Sequence, residues 1–214
     1  LTSFHLGWLH KLRHEHDVDA FLHCWVDTTV EDTVRARAIE RLNFKSALLQ
    51  AQPPTADDRI FAASTTGGGD PASAGRAENF AAMWQSIERA FELACAVERT
   101  EGAYDFVIRA RPDALWDPYT EVSSAIESGA TRFPRRLGAQ FEPSDLAFVA
   151  MRQEADLVAG LHKNIPSFRR SYEEYGYKSF VPEFALGFYL REQEINWQHF
   201  ATDVVLVRES GSQW

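Results

Sequence analysis

Apolar and polar residues follow two periods along the chain, which predict helices and strands in turn. Helices are predicted where apolar residues recur at spacings of three and four, and strands where short apolar runs are bounded by turn formers. The predicted helices cover residues 3–15, 28–42, 78–99, 119–127, 153–162, 166–175 and 182–192. The predicted strands cover residues 18–26, 46–50, 106–108 and 146–151, with one or two more between 197 and 207. At 46–50, a continuation of the preceding helix is the alternative.

This alternation predicts an α/β fold, with a three-layer α/β/α arrangement around a mostly parallel central sheet. The 214 residues are enough for one domain with a sizeable core, so a single domain over 1–214 is expected. Turn formers crowd the stretch at about 52–77, which predicts a flexible loop. Within it, Gly67-Gly68-Gly69 follows no clear strand and precedes no lysine, so it does not predict a phosphate-binding loop.

Composition and charge narrow the classes of function. With 45% hydrophobic and 25% charged residues the chain resembles a globular protein, and no apolar run approaches the roughly 18 residues of a membrane span. The net charge of −9 argues against a nucleic-acid partner held by phosphate contacts. Cys24 and Cys95 lie in apolar runs and predict two buried free thiols, which suits a reducing, cytoplasmic compartment. Peripheral association with a membrane stays open.

Charged residues follow the predicted strand at 106–108 and form the strongest candidate for a chemical site. Arg109, Arg111 and Asp113 come directly after its apolar run. Ligands of open α/β sheets bind outside the carboxyl ends of the strands. Arginines grip phosphate oxygens through two nitrogens, and an aspartate suits a hard divalent cation that bridges them. The cluster therefore predicts a site for a diphosphate; the alternative is a solvated, salt-bridged loop.

Several segments also carry a resemblance to a known family. They are Asp17-Val18-Asp19-Ala20-Phe21-Leu22-His23-Cys24-Trp25, Asn79-Phe80-x-x-Met83-Trp84-x-Ser86-Ile87, Tyr104-Asp105-Phe106-Val107-Ile108-Arg109-Ala110-Arg111-Pro112-Asp113, Ser144-Asp145-x-x-Phe148 and Pro182-Glu183. Over about residues 1–207 this pattern resembles a group of bacterial and viral glycosyltransferases, which are similar to the GT-A fold of nucleotide-diphospho-sugar transferases. The resemblance implies sugar transfer from a nucleotide-diphosphate donor to a glycan or glycolipid acceptor, in surface polysaccharide synthesis.

The resemblance also assigns roles at the predicted diphosphate site. Asp113 stands where GT-A enzymes carry the last acid of their metal-binding Asp-x-Asp motif, which implies Mn²⁺ or Mg²⁺ there. Arg111 replaces the first acid, and because an arginine can itself neutralise a diphosphate, a metal-independent enzyme is the alternative. The group opens with a further strand that would end near Thr2, so we expect N-terminal sequence, and that first strand, to be missing here.

Asp145 and Glu183 are the candidates for the base that deprotonates the acceptor hydroxyl, as an inverting transfer requires. The alternatives are a turn residue for Asp145 and a helix-dipole partner for Glu183. His199 is a further candidate for contact with the diphosphate, against a core or surface histidine. Two other functions stay open: a glycosyltransferase-like binding module without activity, and a metal-dependent phosphohydrolase. A phosphohydrolase needs a second acid two residues after its aspartate, a spacing at which Arg111 argues against it.

Overall fold

Helices and strands alternate along the chain in the computed structural model. It describes residues 7–25, 36, 40, 43–51, 71–111, 114–115, 118–136, 139–174, 181–201 and 205–206. The helices are α1 (Gly7–Glu15), α2 (Pro71–Glu101), α3 (Pro118–Ser128), α4 (Arg152–Ala159), α5 (Leu161–Glu174) and α6 (Pro182–Glu192). The strands are β1 (Phe21–Trp25), β2 (Ser46–Gln50), β3 (Phe106–Ala110), β4 (Ala114–Leu115), β5 (Thr131–Phe133), β6 (Arg135–Arg136), β7 (Ala139–Pro143), β8 (Ala147–Met151), β9 (Trp197–His199) and β10 (Val205–Leu206).

Four strands form the central sheet in the order β3-β8-β5-β9. Strand β8 is antiparallel to both of its neighbours, whereas β5 and β9 are parallel. A separate parallel pair joins β1 to β2, and antiparallel pairs join β6 to β7 and β4 to β10. The predicted α/β class is confirmed, but the sheets mix parallel and antiparallel pairs. The reason is that strands and turns, not a crossover helix, connect β5 to β8, and parallel neighbours need a crossover.

Helices cover both faces of the central sheet because successive strand residues point to opposite sides. Val107 packs on the large core, whose buried members come mainly from α2, α4, α5 and α6 and include Trp84 and Leu186. Ile108 packs on the small core, with Leu12 of α1 and with buried residues of α3. We call these two sides the large-core face and the small-core face of the sheet.

Helix α2 is longer than its apolar pattern predicts. It spans Pro71–Glu101, so residues 71–77, which the sequence placed in a loop, are helical. Proline suits a first helical turn because its missing N–H has no partner there in any helix. At the other end, Gly102 has a φ of 106° and donates its N–H to the Glu98 carbonyl at 3.1 Å, which ends the helix just before β3.

Other predictions were shifted or missed. The predicted break between residues 162 and 166 is wrong, because Pro166 lies inside α5 and the chain breaks at Gly160 instead. A Cβ at Gly160 would meet the Asp156 carbonyl oxygen at 2.8 Å, so this junction is close-packed. Strand β5 was not predicted, although it is buried at the centre of the sheet. Most of the predicted helix at 28–42 and the predicted loop at 52–70 lie outside the described residues.

The two cysteines are free, as predicted, but neither is fully buried. Cys95 is half-buried on α2, whereas Cys24 is exposed on β1, where it alternates with the buried His23. Burial raises the pKa of the Cys95 thiol. Among the helices that the structure describes, none is long and apolar enough to cross a membrane.

Candidate functional site

The end of β3 and the start of β8 meet at one edge of the central sheet. The antiparallel register pairs Ala110 with Ala147, and the parallel register pairs Phe133 with His199. Strands β3, β5 and β9 run in the same direction, so their carboxyl ends lie at the same edge. We call this the carboxyl edge; β8 begins there. At this edge Arg109, near the end of β3, lies close to Asp145, which comes just before β8, and Arg111 directly follows β3.

Arg109 takes part in this contact directly. Its guanidinium Nη1 donates a hydrogen bond to the backbone carbonyl of Asp145. The side chain points to the large-core face, because Arg109 pairs in register with Phe148 of that core. One nitrogen of Arg109 therefore holds the turn that precedes β8. The predicted contact of Arg109 with a diphosphate stays a prediction.

Arg111 directly follows β3 and is half-buried. It lies two residues after Arg109, and because alternate residues of an extended chain point to the same side, its position continues the large-core face. Asp113 lies outside the described residues, between the end of β3 and β4. Strand β4 pairs with β10, with Ala114 opposite Leu206. Within the described ranges, no group of three or more His, Cys, Asp and Glu side chains is placed to hold a metal ion.

Glu183 lies in the first turn of α6, directly after Pro182. Only 4% of its surface is exposed. It lies one helical turn before Gly187, and a Cβ on Gly187 would overlap the Glu142 carboxylate and meet Pro143 Cδ at 3.1 Å. Glu183 is therefore on the side of α6 that faces the chain leading to Asp145.

Residues from the segments that carry the resemblance contact one another in the structure. His23 Nδ1 of β1 lies 2.6 Å from Ser86 Oγ of α2, and Trp25 Nε1 donates to the Ala82 carbonyl at 3.1 Å. Tyr104 Oη donates to Asp19 Oδ2 at 2.7 Å, which joins the start of β1 to the start of β3. Burial, and then the hydrogen bond to Asp19, raises the pKa of Tyr104. These contacts hold β1, α2 and β3 together, so they are structural.

A half-buried ion pair that the sequence did not predict anchors the opposite end of β3. Arg152 donates to the Glu98 carboxylate through Nε at 2.6 Å and Nη2 at 2.7 Å. Glu98 also accepts the Tyr104 N–H at 3.0 Å, while Arg152 lies 5.0 Å from the centre of the Phe91 ring. The hydrogen bonds from Arg152 hold the pKa of Glu98 below its usual value. The pair joins α2 to α4, and local sequence pattern carries no signal for a contact so distant in the chain.

A polar pocket lies away from the carboxyl edge, at the amino ends of β1 and β2. It has a volume of about 340 Å³, and its lining includes Arg13, Asp19 and Lys45. These groups satisfy one another: Arg13 donates to the Asn43 carbonyl at 2.9 Å, and Lys45 lies 3.6 Å from Asp19 and 2.7 Å from Glu101. The pocket does not coincide with any predicted site residue.

Comparisons of the chain with protein-family models, with curated proteins and with solved structures found no match.

Proposed function

We propose that this chain is a nucleotide-sugar-dependent glycosyltransferase with a three-layer, GT-A-like fold. One observation carries the proposal: the β3–β8 register brings the Arg-x-Arg segment and Asp145 to the same edge of the sheet. This edge combines cationic groups for a diphosphate with a carboxylate for an acceptor hydroxyl. The buried Glu183 lies on the helix that packs beside the chain leading to it.

The proposed reaction is displacement at the anomeric carbon of the donor sugar. The acceptor oxygen forms a bond to that carbon while the bond from the carbon to the phosphate oxygen breaks, and the nucleoside diphosphate leaves. Asp145 or Glu183 takes the proton of the acceptor hydroxyl. Arg109 and Arg111 neutralise the charge that develops on the diphosphate, which is where electrostatic stabilisation lowers the barrier most.

Asp113 is the residue that would hold a divalent cation. A bound Mn²⁺ or Mg²⁺ would supply further positive charge for the diphosphate, alongside the arginines. Metal independence is the alternative, in which Arg111 supplies that charge alone. The acceptor is proposed to be a glycan or glycolipid in surface polysaccharide synthesis, with the enzyme in the cytoplasm and associated peripherally with the membrane.

One observation favours a second candidate function, a glycosyltransferase-like binding module without activity. One guanidinium nitrogen of Arg109 donates to the Asp145 carbonyl, so one of the two arginines at this edge has a structural role. A module of this kind would bind a nucleotide sugar or a glycan and release no nucleoside diphosphate.

Thermal unfolding in the presence of UDP-, GDP-, CMP- and dTDP-sugars, with and without Mn²⁺, tests the proposal. At a ligand concentration of 100 Kd, binding adds about 2.7 kcal/mol, which raises Tm by roughly 5–10 °C for a chain of this size. Arg111→Ala should abolish the shift. The matched control is Arg99→Ala, which removes an exposed arginine at the end of α2 and should leave the shift intact.

The same experiment separates the candidates. If a nucleotide sugar stabilises the protein and nucleoside diphosphate is released with an acceptor, the transferase reading holds. Stabilisation without release identifies a binding module. The absence of a shift with every donor would rule out the proposed function.

A further inference from the structure

A buried ion pair lies on the small-core face of the sheet, behind the carboxyl edge. Arg132 of β5 donates through Nε to Glu121 Oε2 of α3 at 3.2 Å. Glu121 is wholly buried and Arg132 is 8% exposed. The position of Arg132 on this face follows from the register, which pairs it with Val149 of the small core.

Both members of the pair also hold the same short stretch of chain, residues 198–201. Arg132 Nη2 donates to the His199 carbonyl at 2.7 Å, and Nη1 donates to Gln198 Oε1 at 3.1 Å. Glu121 Oε2 accepts the N–H of Ala201 at 3.1 Å. The Arg132 guanidinium and the Glu121 carboxylate therefore fix this stretch from two sides. We call this pair of side chains the 198–201 brace.

The brace acts at the carboxyl edge. His199 ends β9 and pairs in register with Phe133 of the large core, so its side chain points to the large-core face, as does that of Arg109. Arg132 binds the His199 carbonyl from the small-core face. Beyond Ala201 the chain continues to β10, which pairs with β4 next to the segment that carries Asp113.

Stability alone does not explain such a pair. Removing two charges from water costs several kcal/mol per ion, and well-packed apolar residues in place of a buried ion pair are often as stable or more so. What apolar side chains cannot supply is two directed hydrogen bonds to the backbone of this stretch and a third to the Gln198 side chain. The planar fork of Arg132 provides donors to three acceptors at once, which a lysine cannot do in the same geometry.

We propose that Glu121 and Arg132 are positioning residues that fix the backbone of residues 198–201. Because β9 and β3 are the two outer strands of the central sheet, the brace acts on the candidate diphosphate site through the carboxyl edge that both strands share. The part of this inference that concerns donor binding rests on the proposed function, whereas the fixing of the backbone does not.

Two variants of the full chain test the brace. Arg132→Lys keeps a positive charge beside Glu121 but removes the fork. The double variant Glu121→Leu with Arg132→Met replaces the pair by apolar side chains and keeps a folded protein available if the single variant fails to fold. The matched control is Arg152→Lys, the same change in a half-buried arginine–glutamate pair at the amino end of β3.

The first readout is hydrogen exchange of the Phe200 and Ala201 amides. Exchange should quicken about tenfold or more in both brace variants and stay unchanged in the control. The second readout is donor kinetics, for which kcat/KM should fall about tenfold through a raised donor KM, with kcat per folded molecule changed less than threefold. A purely structural role would lower Tm and leave the donor KM unchanged.

Unchanged exchange at both amides in both brace variants would overturn the inference whatever the activity. Faster exchange with an unchanged donor KM would overturn its connection to the site. If no nucleotide sugar binds the wild-type protein, the proposed function fails, and the exchange of the two amides still decides whether the pair fixes residues 198–201.

Discussion

His23 Nδ1 and Ser86 Oγ lie 2.6 Å apart and join β1 to α2 across the boundary of the parallel strand pair and its covering helix. His23 is 8% exposed, and its ring stacks edge-on against Trp25 at a centroid distance of 4.5 Å. Within the described part of the chain, its Nε2 atom has no hydrogen-bond partner. This environment favours a neutral imidazole, because protonation to the imidazolium would place a positive charge on a buried ring of which only Nδ1 is hydrogen-bonded.

Acid should therefore weaken the junction between β1 and α2. Burial, and then the charge of Arg89, lowers the pKa of His23 below its ordinary value of 6.5. The unfolded chain then binds the proton more readily, so the stabilisation is complete above about pH 6.5 and declines as the pH falls below it. His23→Asn keeps a group that can pair with Ser86 and removes the titration. Denaturant unfolding from pH 8 to pH 5 should show a steeper loss of unfolding free energy in the wild-type protein. Equal slopes would contradict this.

The Tyr104–Asp19 hydrogen bond predicts a modest and separable loss of stability. Tyr104→Phe removes the hydroxyl that donates to Asp19 at 2.7 Å and leaves the ring in its edge contact with Phe21. The free energy of unfolding should fall by about 1 kcal/mol, and by more if the Asp19 carboxylate is left poorly solvated. Asp19→Asn is the control, because its amide oxygen still accepts from the hydroxyl. Chemical denaturation at pH 7 measures both, and a cost for Asn equal to that for Phe would argue against this bond.

The Glu98–Arg152 pair predicts a larger effect. Arg152→Met leaves a carboxylate that is 10% exposed without its bidentate partner, and leaving a half-buried charged group unpaired in this way costs about 1–3 kcal/mol. Because Arg152 lowers the pKa of Glu98, the folded state favours the carboxylate. This contribution is present above about pH 4.5, the ordinary value, and is lost as the pH falls through the lower folded pKa. The wild-type protein should thus lose stability faster than Arg152→Met below pH 4.5 in denaturant titrations.

Helix α6 and strand β2 show what the sequence could predict. Pro182 marks the start of α6, and its predicted end at 192 is confirmed; the strand at 46–50 is confirmed against the helical alternative. Both depend on signals within a few residues. Strand β5 lacks such signals, because its three residues have Arg132 at the centre, and that arginine is buried only because Glu121 and residues 198–201 receive it.

The candidate site divides in the same way. Local pattern predicted that Arg109 and Arg111 follow the end of a strand. Arg111 does, whereas Arg109 lies inside β3, which continues to Ala110. The contact between Arg109 and Asp145 spans 36 residues and depends on the antiparallel β3–β8 register. Nothing in either segment specifies that register, since it follows from how both strands bury Val107 and Phe148 on one face. The sequence therefore predicted which charged residues lie at the candidate site, but not the contact between Arg109 and Asp145.

Whether alanine in place of Gly187 of α6 raises or lowers the stability of the protein depends on the neighbouring Glu142 side chain. Alanine normally stabilises a helix interior relative to glycine by about 1 kcal/mol. Here a Cβ would overlap the Glu142 carboxylate and meet Pro143 Cδ at 3.1 Å, so Gly187→Ala should instead destabilise the protein by about 1–3 kcal/mol. Glu142→Ala removes the overlapping group, together with the partner of Arg191 at 3.2 Å. In the double variant the cost of the added methyl should fall by at least 1 kcal/mol, as a double-mutant cycle in denaturant measures. Additive losses would show that the cost of the methyl does not come from Glu142, and an unchanged or raised stability of Gly187→Ala alone would show that Glu142 moves aside freely.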